Sequence, residues 1–220
     1  MSAIAIIAAL PREVAPLVKG WRREELPGNR VVYIRGDVIV ACAGMGSVQA
    51  ALAVQAARAL APRAELISIG LAGACDPRLR VGDVVRPGVI IDRKTGERFI
   101  DERYDSVLVS TNSVVSVAEK ERLHAAYDAA AVDMEAATVA RLARAHGLGF
   151  HAIKAISDTT DFEIAWLARF ATTEGQFREG AFAMHAAMRP WMWGKVRRLA
   201  KSSARALKAL HEAVRAEIDS

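Results

Sequence analysis

Apolar residues in this chain fall into runs of three kinds, and each kind predicts a different element. Ala3 to Ala9 is almost uninterruptedly apolar, as are Leu66 to Gly70 and Phe150 to Ile156. Such short runs predict strands buried on both faces of a parallel or mixed sheet. Val31 to Arg35 and Val38 to Ala43 flank Gly36-Asp37, a two-residue hairpin signal. Val48 to Ala61 repeats its apolar positions at helical spacing, with Ser47 placed as the N-cap and Pro62 just beyond the end. Gly70-Leu71-Ala72-Gly73-Ala74 reads as a small-residue turn, Val81 to Ile91 as a strand bent at Pro87-Gly88, and residues 92 to 106 as a polar loop. Val107 to Ser110 predicts a short strand and Val117 to Tyr127 a helix. Ala131 to Asp133 predicts a strand that leads through Met134-Glu135 into a helix reaching His146 and stopped by Gly147. The remainder after Ser157-Asp158 reads as helical. Strands alternate with helices, which predicts an α/β fold, and 220 residues suit one such domain.

Three acids stand where this pattern ends a strand or starts a helix: Glu13, Glu135 and Asp158. Ligands of open α/β sheets bind beyond the carboxyl ends of strands, so three such acids could share one pocket. Each has a plainer role open to it, because an acid near a helix N-terminus also complements the dipole, worth about 0.3–1 kcal/mol. Gly44 and Gly46 precede a helix and could let backbone N–H groups approach an anion, or could simply make a tight turn. The Gly-Lys-Ser/Thr ending of a P-loop and the third glycine of a dinucleotide fingerprint are both missing.

Five segments in order carry a resemblance. Ala8-Ala9-Leu10-Pro11-Arg12-Glu13-Val14 resembles the opening of the 5′-methylthioadenosine/S-adenosylhomocysteine nucleosidases, within the nucleoside phosphorylase and nucleosidase superfamily. Ala43-Gly44-Met45-Gly46, Gly70 to Pro77 with Val81-Gly82-Asp83-Val84-Val85, Val132-Asp133-Met134-Glu135-Ala136-Ala137 and Lys154-Ala155-Ile156-Ser157-Asp158 are similar to the later motifs of that family. The resemblance implies a three-layer αβα fold around a mixed, barrel-like sheet. It implies hydrolytic cleavage of the N-glycosidic bond of a 5′-substituted purine nucleoside of the adenosine type. It also implies roles: Glu13 deprotonates the attacking water, Asp158 donates a proton toward N7 of the leaving purine, and Ser157 orients Asp158. Met134 packs beside the sugar, Glu135 accepts from the ribose hydroxyls, and Arg12, Gly46 and Lys154 form the nucleophile or anion subsite. An acid that keeps its proton near neutral pH needs a dry pocket.

Two departures bear on these roles. Lys154 replaces an arginine and Leu71 a serine of the family pattern, and both changes touch the nucleophile. Residues 86 to 131 are shorter than in the family, which implies a more open 5′ side. Val114 and Val115 fall near the base by position. Phosphorolysis, with a lipid-linked (hopanoid-associated) adenosyl substrate as one form, is an alternative. A non-catalytic nucleoside- or lipid-binding protein is a second.

Charge separates the tail from the rest. The chain carries a formal +5, and residues 189 to 220 alone hold eight Lys or Arg against three acids, so the preceding chain is balanced. This argues against nucleic-acid binding by the body. Residues 1 to 188 are therefore expected to form the catalytic domain and 189 to 220 a basic amphipathic helix. Met192, Val196, Leu199, Leu207, Leu210, Val214 and Ile218 share one face of that helix, with Trp191 and Trp193 at its start. Packing on the domain, contact with an anionic membrane and contact with RNA or a partner protein are the three readings open to it. No secretory signal or spanning segment is recognised, which predicts a cytoplasmic protein, peripheral to the membrane if the tail binds it. Cys42 and Cys75 read as reduced core residues, the five histidines are too scattered for a metal site, and no cofactor is implied. A homo-oligomer is expected from the family.

Overall fold

A computed structural model describes residues 3–28, 30–164, 170, 191 and 193–219. In chain order the elements are β1 (Ile4–Ala8), α1 (Pro11–Val14), β2 (Arg22–Leu26), β3 (Arg30–Arg35), β4 (Val38–Cys42), α2 (Ser47–Leu60) and β5 (Glu65–Ala74). There follow β6 (Val84–Val85), β7 (Pro87–Asp92), β8 (Arg98–Ile100), β9 (Ser106–Ser110), α3 (Val117–Tyr127), β10 (Ala129–Asp133), α4 (Ala136–Ala145), β11 (Phe150–Asp158) and α5 (Trp193–Ile218).

The strands form one mixed sheet in the order β2-β3-β4-β1-β5-β10-β9-β7-β8, with β11 laid along β5 and the short β6 on β11. Helices cover both faces. Along β1, Ala5 and Ile7 pack with Ala50, Ala53, Val54 and Ala57 of α2 and Val139 and Ala143 of α4. Ile6 and Ala8 point the other way, to a core completed by Ala206, Leu210 and Val214 of α5. This double burial is why the run from Ala3 to Ala9 lacks the alternation of a half-exposed strand. It also gives the three-layer α/β architecture expected from the motifs. Alanines at i, i+3 and i+4 spacing let α2 and α4 lie close together and to the sheet.

The ten-residue strand β5 organises the centre. β11 runs parallel along one edge, from Phe150 opposite Leu66 to Asp158 opposite Gly73. On the other edge β1 pairs only as far as Ser68, and β10 joins in antiparallel sense at Gly73 and Ala74. Between them Ile69 to Ala72 has no strand partner on that side, and the sheet parts there into a barrel-like opening. The expected small-residue turn at Gly70–Ala74 is therefore a continuation of the strand. Its small residues serve the opening rather than a change of direction.

Other boundaries shift for local reasons. The cap of α2 is Gly46, at φ +89, with no side-chain cap, and Ser47 is the first helical residue. Residues 92 to 106 contain β8, which pairs antiparallel with β7. β2 reads Arg-Arg-Glu-Glu-Leu and shows no apolar alternation, because it is an edge strand whose charges face solvent. The turn holding Glu13 is one turn of helix, α1.

α5 is anchored over its second half. Ala206, Leu210 and Val214 are at most 1% exposed. His211 Nε2 donates to the Glu13 carbonyl at 2.7 Å, and Arg215 donates to the Pro16 carbonyl. The helical reading of 165–169 and 171–190 lies outside the described residues. Among the described residues, no helix is long and apolar enough to cross a membrane.

Candidate active site

Three chain segments bring their acids to the opening beside Ile69–Ala72. Glu13 comes from α1, Asp133-Met134-Glu135 from the end of β10, and Ser157-Asp158 from the end of β11. All of these residues line one cavity of about 480 Å³, together with Arg12, Thr111, Val114, Val115 and Lys120. The convergence expected of Glu13, Glu135 and Asp158 is thus a geometric fact.

One half of the site is built around Glu13. The residue is 7% exposed, and its Oε2 accepts from the backbone N–H groups of Ala9 and Leu10, both at 3.0 Å. Burial raises its pKa above the ordinary carboxylate value, against the backbone hydrogen bond from Leu10 and the nearby charges of Lys154 and Arg12. Gly70 of β5 passes so close that a Cβ there would lie 3.8 Å from Glu13 Oε1 and 3.7 Å from Lys154 Nζ. The backbone of Gly70 sits at φ +149, a conformation that favours glycine.

Lys154 lies beneath this floor. Its side chain and that of Asp133 are both fully buried, with Nζ 2.9 Å from Asp133 Oδ2 and 3.1 Å from Ser68 Oγ. Burial works against the ammonium, but Asp133, Glu135 and Glu13 outweigh it and the pKa is raised. Asp133 in turn accepts from Ser110 Oγ at 2.5 Å and from the N–H of Ala136 at 2.9 Å. Glu135 Oε1 accepts from the N–H of Gly46 at 2.7 Å. Enclosure first, and then the charge of Asp133, push the Glu135 pKa up to about 7.

The other half is built around Asp158, which is 2% exposed. The dryness expected of a general acid is present, but the carboxyl is not alone. Lys120 of α3, 1% exposed, forms an ion pair with its Oδ2 and also donates to the carbonyl of Thr159 at 2.9 Å. Ser157 Oγ lies 2.7 Å from Asp158 Oδ1. A Cβ on Gly73 would stand 3.0 Å from Asp158 Oδ2 and 3.2 Å from Lys120 Cε, so the pair occupies room that only a glycine leaves.

The sequence-predicted residues divide on this geometry. Glu13, Arg12, Met134, Glu135, Ser157 and Asp158 all face the cavity. Lys154 lies behind its wall, sealed and already committed to Asp133. Gly46 N–H is engaged by Glu135 rather than open to an anion. Lys120 was not singled out by the motifs, because a lysine in a charged helix looks like a solvated residue. The usable signal was its position three residues before Leu123, the other buried residue of α3. Nor does the short segment 86–131 leave the cavity bare, since Val196, Leu199, Ala200 and Leu207 of α5 line it. Among the described residues no cluster of His, Cys, Asp and Glu could hold a metal ion.

Known proteins resemble this chain in sequence and in fold. The sequence pattern of the phosphorylase superfamily matches residues 3–107 and 95–189. A 5′-methylthioadenosine/S-adenosylhomocysteine nucleosidase of Marinomonas sp. (strain MWYL1) is 36% identical over 92 residues, 39% of this chain and 39% of the relative, so the match spans well under half of that enzyme. Among solved structures, a putative nucleosidase of the same name from Francisella philomiragia superposes with a TM-score of 0.75, at 17% identity, covering 100% of this chain and 99% of that one. The futalosine hydrolase of Helicobacter pylori gives 0.73 at 17% identity, covering 99% and 97%. The nucleosidase of Neisseria meningitidis in complex with methylthio-immucillin-A gives 0.69 at 19% identity, covering 98% and 100%. At these identities the structural likeness establishes the fold.

Proposed function

This chain belongs to the phosphorylase superfamily, and from that premise we propose that it hydrolyses the N-glycosidic bond of a 5′-substituted adenosine, releasing the base. The observation that carries this reading is the convergence of Glu13, Glu135 and Asp158 on one cavity from three separate strand ends. Breaking the bond leaves positive charge on the ribose and negative charge on the base. Carboxylates beside the sugar stabilise the first by preorganised electrostatics, and a proton delivered to the base removes the second. Glu13 is the base that takes a proton from water, and its raised pKa makes it better suited to do so. Glu135 accepts from the ribose hydroxyls, with its carboxylate held by Gly46 N–H. Met134 packs beside the sugar, and Asp158, oriented by Ser157, protonates N7. The named nucleosidase relative supports water chemistry on such substrates.

Water is favoured over phosphate by charge. A phosphate dianion beside Glu13 would meet the acids Glu13, Asp133 and Glu135, and the nearest buried cation, Lys154, is neutralised by Asp133. Arg12 lines the cavity beside Glu13, whose carboxylate its charge favours. The test is adenine release from 5′-methylthioadenosine, S-adenosylhomocysteine and 5′-deoxyadenosine, with and without phosphate. Equal rates in both buffers are expected. Release only with phosphate, together with a ribose 1-phosphate product, would replace hydrolysis by phosphorolysis.

A second element concerns place. Trp191 and Trp193 are 75% and 57% exposed at the start of α5, beside exposed Lys195, Arg197, Arg198 and Lys201. This favours contact of a cytoplasmic protein with an anionic membrane surface. Co-sedimentation with phosphatidylserine vesicles at low salt is expected, and its absence removes this element while leaving the chemistry intact.

A further inference from the structure

We propose that Lys120 is a positioning residue for base protonation: its ammonium aims the Asp158 carboxylate into the cavity and supplies the proton that Asp158 passes to the leaving base. This rests on the hydrolytic reading above and deepens it.

Burying an ammonium is costly unless it is fully partnered. Lys120 is 1% exposed, and its Nζ contacts Asp158 Oδ2 and the carbonyls of Thr159 and Phe162. A tie between α3 and the turn after β11 could be made by any buried donor, or by apolar packing. Two facts point beyond a tie. Lys120 lines the same cavity as the three acids. Its partner oxygen is Oδ2, while Ser157 holds Oδ1, so the two donors fix the plane of the Asp158 carboxyl. Gly73 gives up its Cβ at the place where the pair passes.

The step balances within these groups. The C1′–N9 bond breaks with its electron pair going to the base. One N–H proton of Lys120 passes to the Asp158 carboxylate, leaving a neutral amine, and Asp158 passes that proton on to N7 and returns to the carboxylate. Water forms the new bond to C1′ and yields its proton to Glu13. Exchange with solvent returns a proton to Lys120 and removes one from Glu13.

The groups facing the pair come from each neighbouring element. Just after β5 the thiol of Cys75, pushed by burial to about 12, is neutral. From β11 there is Ser157. From the segment after β11 there are Glu163, which accepts from Val117 N–H at the start of α3, and Asp161, which lies 3.6 Å from Arg198 of α5. Across the cavity stand Glu13, Glu135 and the Asp133–Lys154 pair.

The experiment compares wild type, Lys120→Met and Lys120→Arg on two substrates, 5′-methylthioadenosine and the p-nitrophenyl riboside with the same 5′ group, whose phenolate leaves without a proton. If the wild type releases no adenine, the hydrolytic reading itself fails. If it does, the proposal requires kcat for adenine release to fall about 10²-fold in Lys120→Met with KM little changed. The basic limb of its pH profile must move, because the group that supplied the proton is gone. The riboside must lose less than about threefold, and Lys120→Arg, whose guanidinium keeps its proton, must not recover adenine release. Equal losses on both substrates with the limb unmoved would make Lys120 a structural tie only, and overturn the proposal. Where Lys120→Met does not fold, Lys120→Gln keeps a donor without an acidic proton, and the same two outcomes decide.

Discussion

Two buried lysine–aspartate pairs sit about the same strand and have different relations to the cavity. Lys154 of β11 pairs with Asp133 at the end of β10, and Lys120 of α3 pairs with Asp158 at the end of β11. Both are sealed from solvent, and each leans on a glycine of β5, Gly70 for the first and Gly73 for the second. Lys154, however, lies behind the cavity wall and acts on Glu13 and Glu135 only through its field, whereas Lys120 lines the cavity itself. Ion pairing by itself therefore does not mark a functional group. What separates the two pairs is their position relative to the cavity.

The largest effect that would break this comparison is on the Lys154 side. Glu13→Gln should lower kcat for adenine release by about 10²–10⁴-fold while nucleoside binding, followed by calorimetry, persists. Retained turnover would move the base elsewhere. Lys154→Met leaves Asp133 buried without its cation and should cost about 3–5 kcal/mol of unfolding free energy in urea. A loss below about 1 kcal/mol would mean that the pair is not a support. The glycines sharpen the contrast further. Gly73→Ala intrudes on Asp158 and Lys120 and should reduce kcat by as much as about 10²-fold through misplacement. Gly70→Ala imposes backbone strain, expected to appear as about 1–3 kcal/mol of lost stability. Equal kinetic effects from the two would erase the distinction.

The smallest expected effect is a dependence of stability on pH. Glu135 has its pKa raised in the folded protein from the usual 4.5 to about 7. Between those values the native state holds more protons than the unfolded one, so stability should fall as pH rises from about 4.5 to about 7. Urea midpoints at the two ends of that window should differ in the wild type and draw together in Glu135→Gln. An unchanged difference would assign the effect to another group, with Glu13, raised in the same sense, next in line.

Much of the fold was legible because the chain repeats simple signals. β1, the β3–β4 hairpin about Gly36-Asp37, α2 within a residue at each end, and α3 lie where their patterns place them. The acids at strand ends were legible too, since ligand sites of open sheets lie there. What escaped has identifiable causes. β2 carries Arg and Glu because it is an edge, so its sequence resembles a loop. The run Gly70–Ala74 looks like a turn because small residues serve a cavity wall as well as a bend. Lys120 looks solvated because helical periodicity gives the direction of a side chain but not what lies opposite it.

By itself the sequence determined the α/β class, the places of its buried strands along the chain and the three acids that meet at the cavity. These follow from local periodicity and from residue types at element ends, and both are properties of neighbours in the chain. Only the tertiary structure decided that Lys154 would be walled off and Lys120 brought in, and that α5 would both pin Glu13 through His211 and line the cavity. Those outcomes depend on contacts across long separations, such as Lys120 with Asp158 and His211 with Glu13. They depend also on the space left where β1 and β10 part along β5. Neither is encoded in any local pattern, because the free energy of burying a charge is set by whatever the fold places beside it.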